Sequence, residues 1–263
     1  MIESNLASLD IEIQETGPDW VFRLVNRERS RRAAEYVPDC CADFERRYFG
    51  IEVGNQRRYF ESILRPHIQP GKNLLDYGCG GAWWKDYWSI PSHVTGVDVV
   101  PQNLESLRAV FRDPARFRLI YAPTGITALA DSSFDQILSS SVIGYIHPNL
   151  AQIHVREIAR LLKPSGTAIF ARINAANYAT PLKARLVETG GGFAYSYSRR
   201  ELRRLIEDSG LRVLEMRRIG LHMPLFRRQV QRLYGIEWFR RFDARINCVP
   251  GFAVHYLMIA TKA

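Results

Sequence analysis

From Gly71 onward the sequence alternates short apolar runs with helical windows, and this alternation restricts the fold more than any other feature. Strand-length apolar runs fall at Asn73–Tyr77, Val94–Asp98, Arg116–Tyr121, Phe134–Ser139, Gly166–Ala171, Leu211–Arg217 and Phe252–Thr261. Between them, Gln102–Phe111, Leu150–Leu162 and Ser198–Ser209 carry helical spacing, and the last opens on Ser198 with Glu201 three residues on, a capping-box pattern. Strands apolar on both sides must be covered on both faces, so the expectation is an α/β fold: a doubly wound, mostly parallel, seven-stranded sheet.

Residues 1–70 read as an N-terminal, mainly helical extension: Phe44, Tyr48, Ile51, Tyr59, Phe60, Ile63 and Leu64 recur at helical spacing before Pro66. Within it, LDIEIQE alternates like a strand. Residues 71–263 then form the sheet domain. Two stretches break its alternation, 174–197 with Gly190, Gly191, Gly192 and three tyrosines, and 220–251 inserted before the last strand. Connections of this length commonly serve as lids or binding loops.

No apolar run approaches the ~20 residues of a membrane span, and the acidic, polar N-terminus lacks a signal-peptide pattern, so a cytoplasmic protein is expected. Cys40, Cys41, Cys79 and Cys248 show neither C-x-x-C spacing nor a zinc pattern; reduced thiols and no metal site are expected. Of the formal net charge of +9, most sits in Arg199–Arg245, where thirteen Arg face six acids. That excess suits either an anionic partner or solvated helix faces.

The stretch LLDYGCGGAWW concentrates the chemistry. In an open parallel sheet, ligands bind beyond the strand C-termini where strand order reverses, and the turn after the first strand normally lies there. Gly78 and Gly80, flanking Cys79, allow close approach of a ligand to the backbone. Asp76 precedes them; a carboxylate there opposes phosphate and favours an ammonium or sulfonium. Asp98 ends the next strand 18 residues after Gly80, near the spacing at which an acid receives ribose hydroxyls. Adenosine, no phosphate and a cationic head together describe S-adenosylmethionine.

LLDYGCGGA, VTGVDVVPQNL, DSSFDQILSSSVIGYI and REIARLLKPSGTAIF, in that order, resemble the successive motifs of class I S-adenosylmethionine-dependent methyltransferases, closely over Asn73–Ala171. The resemblance implies a Rossmann-like methyltransferase fold with S-adenosylmethionine as cofactor. Asp76, Gly78, Cys79 and Gly80 would then cradle its methionine end, Asp98 grip the ribose and Val99 touch the adenine, with Ser140 at the end of the fourth strand. Ala82 stands where a third glycine is common. The acid that often receives the adenine amino group is absent from YAPTGITAL, which leaves backbone groups near Thr124 and Gly125. Gly144 and Tyr145 occupy places where many small-molecule members carry Glu-His, so no base carries over from that motif.

Methyl transfer needs alignment of the acceptor above all, and a base only where the nucleophile must lose a proton. Candidates are Tyr145 and His147 after the fourth strand, His222 in the late insertion, and Tyr195 or Tyr197; His154 and His255 read as structural. Trp83 or Trp84 could wall the cofactor, and Tyr48, Arg58 or Tyr59 could close an N-terminal helix over it. The expected activity is methyl transfer to a small-molecule acceptor, foremost at a hydroxyl oxygen. The alternatives are an RNA methyltransferase using the basic C-terminal third and an inactive cofactor-binding partner subunit. Oligomeric state is not legible.

Overall fold

The computed structural model of the chain describes residues 8–14, 58–81, 86–176, 186–189, 192–221, 227–246 and 253–263. One sheet carries eight strands: β1 (Ile11–Ile13), β2 (Asn73–Tyr77), β3 (His93–Asp98), β4 (Phe117–Tyr121), β5 (Phe134–Ser140), β6 (Leu162–Asn174), β9 (Leu211–Leu221) and β10 (Ala253–Lys262). Their spatial order is β1-β4-β3-β2-β5-β6-β10-β9. The strands from β1 to β6 pair in parallel, and β10 runs antiparallel to both β6 and β9. All seven expected strands are present, shifted by a few residues at most ends.

The eighth strand comes from the stretch before Gly71, which is therefore not helical throughout. Ile11, Glu12 and Ile13 pair with Leu119, Ile120 and Tyr121, and Ile11 is buried. The alternation in LDIEIQE is the signal of this edge strand. Within 174–197, a hairpin of β7 (Leu186–Thr189) and β8 (Gly192–Tyr195) stands apart from the main sheet.

The period of two along β2 sends its side chains to opposite layers. Leu74 and Asp76 enter one layer, where Tyr87, Trp88, Leu104 and Leu107 pack; Leu75 and Tyr77 enter the other, with Val155, Ile158 and Leu202. The first layer includes α1 (Pro101–Val110), the helical residues 58–64, α4 (Arg227–Leu233) and α5 (Glu237–Ile246). The second is built from α2 (Pro148–Leu161) and α3 (Arg199–Glu207). The capping box expected at α3 is formed: Ser198 Oγ accepts from the Glu201 amide, and the Glu201 carboxylate accepts from the Ser198 amide.

The late insertion and the helical residues 58–64 are tied by one side chain. Asp243 on α5 is fully buried and accepts from the hydroxyls of Tyr59 (2.9 Å) and Tyr234 (2.7 Å). Those two rings stack at 5.0 Å, and Phe239 meets Tyr234 edge-on. Tyr59, Tyr234 and Phe239 are thus core residues that fasten these segments to the sheet.

Candidate cofactor and acceptor site

Strand order reverses between β2 and β5, so the turn after β2 opens onto the crevice in which such sheets bind ligands. Gly78 (φ 74°) and Gly80 (φ 61°) both adopt left-handed backbone, and the amides of Gly78 and Cys79 donate to the Val97 carbonyl at 2.8 and 3.0 Å. The two glycines answer different demands. A Cβ on Gly78 would lie 2.3 Å from Val142 Cγ2, so this glycine brings the turn against the chain leaving β5. A Cβ on Gly80 would meet nothing within 4 Å among the described residues, so on their side this glycine faces open space. Cys79, between them, is buried.

Asp98 closes the turn from the neighbouring strand. Its Oδ2 accepts from the Gly80 amide at 2.6 Å and its Oδ1 from the Val100 amide at 2.8 Å. The structure thus brings together the acid and the glycine that the sequence separates by 18 residues. Beyond Asp98, Val99 packs with Ile146 and Ile153 against Leu150, giving an apolar wall beside the carboxylate.

Asp76 is placed differently from its sequence expectation. It is fully buried, and its Oδ2 accepts from the Tyr87 hydroxyl and the Trp88 indole N–H, each at 2.8 Å. Burial and the adjacent carboxylate push the Tyr87 hydroxyl well above the usual phenol range, so Tyr87 remains a donor. Trp88 fits because Gly96 on β3 has no side chain: a Cβ there would lie 2.8 Å from Trp88 Cη2. Asp76 therefore underpins the turn and places a second carboxylate beneath it. The sequence signal for this arrangement is a glycine within an otherwise apolar strand.

Thr124 and Gly125 form a tight turn after β4 rather than an open edge. Thr124 Oγ1 accepts from the Ile126 amide, and the Gly125 amide donates to the Ala122 carbonyl. The Gly125 carbonyl accepts from the Tyr77 hydroxyl. His154, whose Nδ1 lies 2.9 Å from the Leu150 carbonyl, presses on Gly125 so closely that a Cβ would meet its Nε2 at 2.3 Å. Burial lowers the pKa of His154, in keeping with a structural role.

At the end of β5, the side-chain oxygens of Ser139, Ser140 and Ser141 are buried and make no hydrogen bond among the described residues. Ser141 also has φ 60°. Buried hydroxyls normally find partners, and a non-glycine residue in left-handed backbone is uncommon; both departures fall at the crevice. Ser140 was expected at the site, whereas Ser139 and Ser141 were not singled out.

Of the expected bases, His147 caps α2: its Nδ1 accepts from the Asn149 amide at 3.2 Å. The imidazole is thereby engaged at Nδ1 in starting the helix. Tyr145 is half-buried in the 3-10 turn Ile143–Tyr145, against which β8 packs. Asn174 Nδ2 donates to the Gly144 carbonyl and fixes this turn to the end of β6. Tyr197 is buried against Tyr195, and burial raises its hydroxyl pKa, which disfavours proton abstraction by its phenolate. His222, Trp83, Trp84, Ala82 and Tyr48 lie outside the described residues.

The arrangement fits S-adenosylmethionine: an open glycine backbone, the Asp98 carboxylate suited to a ribose, an apolar wall, and buried serine hydroxyls without a hydrogen bond among the described residues. Comparison with known proteins agrees. Residues 75–170 match the family described as "Methyltransferase domain". The malonyl-[acyl-carrier protein] O-methyltransferase of Erwinia billingiae is 28% identical over 108 residues, 40% of this chain and 40% of that protein. The ubiquinone biosynthesis O-methyltransferase of Paracidovorax citrulli is 30% identical over 108 residues, 40% of this chain and 44% of that protein. The matched segment thus spans about two fifths of these relatives. Among solved structures, Burkholderia thailandensis 1,6-didemethyltoxoflavin-N1-methyltransferase with bound S-adenosylhomocysteine superposes with a TM-score of 0.57 at 18% identity, covering 95% of this chain and 94% of that one. Residues 75–170 thus match a methyltransferase domain, and the sheet around them has the order of a doubly wound, Rossmann-like methyltransferase fold.

Proposed function

We propose that the chain transfers a methyl group from S-adenosylmethionine to a small-molecule acceptor, foremost at a hydroxyl oxygen. The observation that carries this reading is the juxtaposition, at the strand-order reversal, of the Gly80 backbone, the Asp98 carboxylate and the Ser139–Ser141 hydroxyls, which have no hydrogen-bond partner among the described residues. Bound there, S-adenosylmethionine supplies a methyl carbon activated by positive sulfur. Gly78 and Gly80 would admit its methionine end, Asp98 would receive the ribose hydroxyls, and Val99 with Leu150 would flank the adenine. The protein's remaining task is alignment and exclusion of water.

Tyr145 is the side chain best placed to receive or orient an acceptor proton, between the end of β5 and the β7–β8 hairpin. His147 serves by starting α2 in the right place. The oxygen acceptor is supported by the relatives, both of which are O-methyltransferases by name. The RNA reading has no comparable support, because several arginines of the basic third line a cavity or pair with carboxylates on their own elements.

The test is calorimetric titration with S-adenosylmethionine, paired with S-adenosylhomocysteine release on phenols, carboxylic acids and RNA. Binding that falls at least a hundredfold in Asp98→Ala, with turnover on a phenol or carboxylic acid, is expected. Cofactor affinity unchanged in Asp98→Ala would overturn the cofactor assignment, and turnover on RNA alone would overturn the acceptor class.

A further inference from the structure

We propose that the chain has a second ligand site, an arginine-lined pocket along β9 that takes an amphiphilic anion: a phosphate or carboxylate joined to an apolar chain. A cavity of about 730 Å³ lies between the helical residues 58–64, β9 and α5. That volume is in the range of small-molecule pockets. Five arginines line it, Arg199, Arg217, Arg218, Arg240 and Arg241, against one carboxylate, Glu237. Part of this charge is answered within the chain, since Arg241 pairs with Glu237 at 2.6 Å and Arg217 with Glu215.

Arg240 is the residue that points to a ligand. Its Nε is buried and has no hydrogen-bond partner among the described residues, although a buried guanidinium nitrogen ordinarily donates. Its neighbours Tyr59 and Asp243 are already joined to each other. A phosphate or carboxylate in the pocket would supply the missing acceptor, and arginine suits such groups through its forked donors. Beside the charges, Ile63, Met216 and Ile219 give an apolar lining for the rest of the molecule. Solvated arginines on a helix face diverge; these converge on a concavity from three elements.

The pocket is separate from the glycine turn. β9 is four strands from β2 in the sheet, about 19 Å at ~4.8 Å per strand, and Ile63 and Ile219 stand between the pocket and a small cavity that reaches Ser140. The anion could be soluble or the headgroup of a membrane lipid. Exposed Trp238 and Phe242, one turn apart on α5 beside Arg241 and Arg245, would suit the second source.

The experiment titrates hexyl phosphate, hexanol and inorganic phosphate into the full chain by calorimetry. Sedimentation with phosphatidylglycerol or phosphatidylcholine vesicles runs in parallel. Hexyl phosphate is expected to bind at least tenfold more tightly than either control and to lose at least tenfold in Arg240→Gln, with S-adenosylmethionine binding unchanged. The pair Arg199→Gln and Arg218→Gln, on other walls of the pocket, repeats the test if Arg240→Gln folds poorly. Co-sedimentation with phosphatidylglycerol vesicles that is lost in Trp238→Ser would support the site with a lipid as the source. Hexyl phosphate binding without vesicle binding would support it with a soluble source. Equal affinity for hexanol and hexyl phosphate, or unchanged hexyl phosphate binding in these arginine variants, would overturn the site.

Discussion

Among the described residues two carboxylates, Asp76 and Asp243, are fully buried, and each is held by two ring donors. Asp76 accepts from Tyr87 and Trp88 beneath the glycine turn; Asp243 accepts from Tyr59 and Tyr234 between α5 and the helical residues 58–64. The chemistry is alike and the consequence differs. Around Asp76 the donors lie 11 and 12 residues away, and the motif sits next to open backbone. Around Asp243 one donor lies 184 residues away, and the same construction serves to join the helical residues 58–64 to the late insertion. A buried acid is thus a fastening in both halves, and becomes part of a binding site only where glycine leaves room beside it.

Acid should separate the halves most strongly. His255, on β10 in the Asp243 half, has its pKa pushed down to about 3 by burial, with Arg172 adding to the effect. The folded state therefore refuses a proton that the unfolded chain accepts near pH 6.5. Stability is full above that pH and is lost as pH falls from 6.5 toward 3, by about 4–5 kcal/mol in total. Urea unfolding from pH 7 to pH 4 should show this slope, and His255→Leu should lessen it, with His154, whose pKa burial also lowers, carrying part of what remains.

The next effect is Asp243→Ala, which strands the Tyr59 and Tyr234 hydroxyls and should cost about 4 kcal/mol, at about 1–3 kcal/mol per buried unsatisfied group. S-adenosylmethionine affinity should survive in the folded fraction. Asp76→Ala should cost a similar amount and also weaken cofactor binding. Denaturant unfolding and calorimetry on both variants check the comparison; equal cofactor affinities would break it.

Within the turn, Gly78→Ala meets both left-handed backbone and Val142, for about 3 kcal/mol. Gly80→Ala meets only the backbone cost, about 1–2 kcal/mol, yet should block the cofactor. Thermal unfolding with and without S-adenosylmethionine distinguishes them: Gly80→Ala should lose the ligand-induced rise in melting temperature while remaining folded. The smallest effect is Ser141→Gly, which relieves φ 60° and should stabilise by about 1 kcal/mol while lowering turnover.

How far these features could be read from sequence follows from how local their causes are. The bounds of β2 and the capping box at α3 rest on neighbouring residues, and both appear as expected. The 18-residue spacing of Asp98 from Gly80 was legible because strand and turn lengths fix it, whereas the hydrogen bond between the two was not anticipated. The Asp76 donors were missed because Tyr87 and Trp88 gain meaning only once Gly96 on the next strand makes room. His147 read as a possible base because its position after β5 is visible, whereas its capping of α2 depends on backbone geometry. Asp243 and the β9 pocket unite distant segments and leave no spacing to recognise.

The sheet's two ends bear on behaviour in concentrated solution. Edge strands present unpaired backbone groups that can recruit another sheet. β1 limits this hazard by being three residues long. β9 is eleven residues long and carries Arg212, Arg217 and Arg218, so like-charge repulsion guards the longer edge. The arginines that line the proposed pocket therefore also keep one copy of the chain from zipping onto another. Neutralising them wholesale to study binding would invite aggregation, and single substitutions at low protein concentration are the safer course.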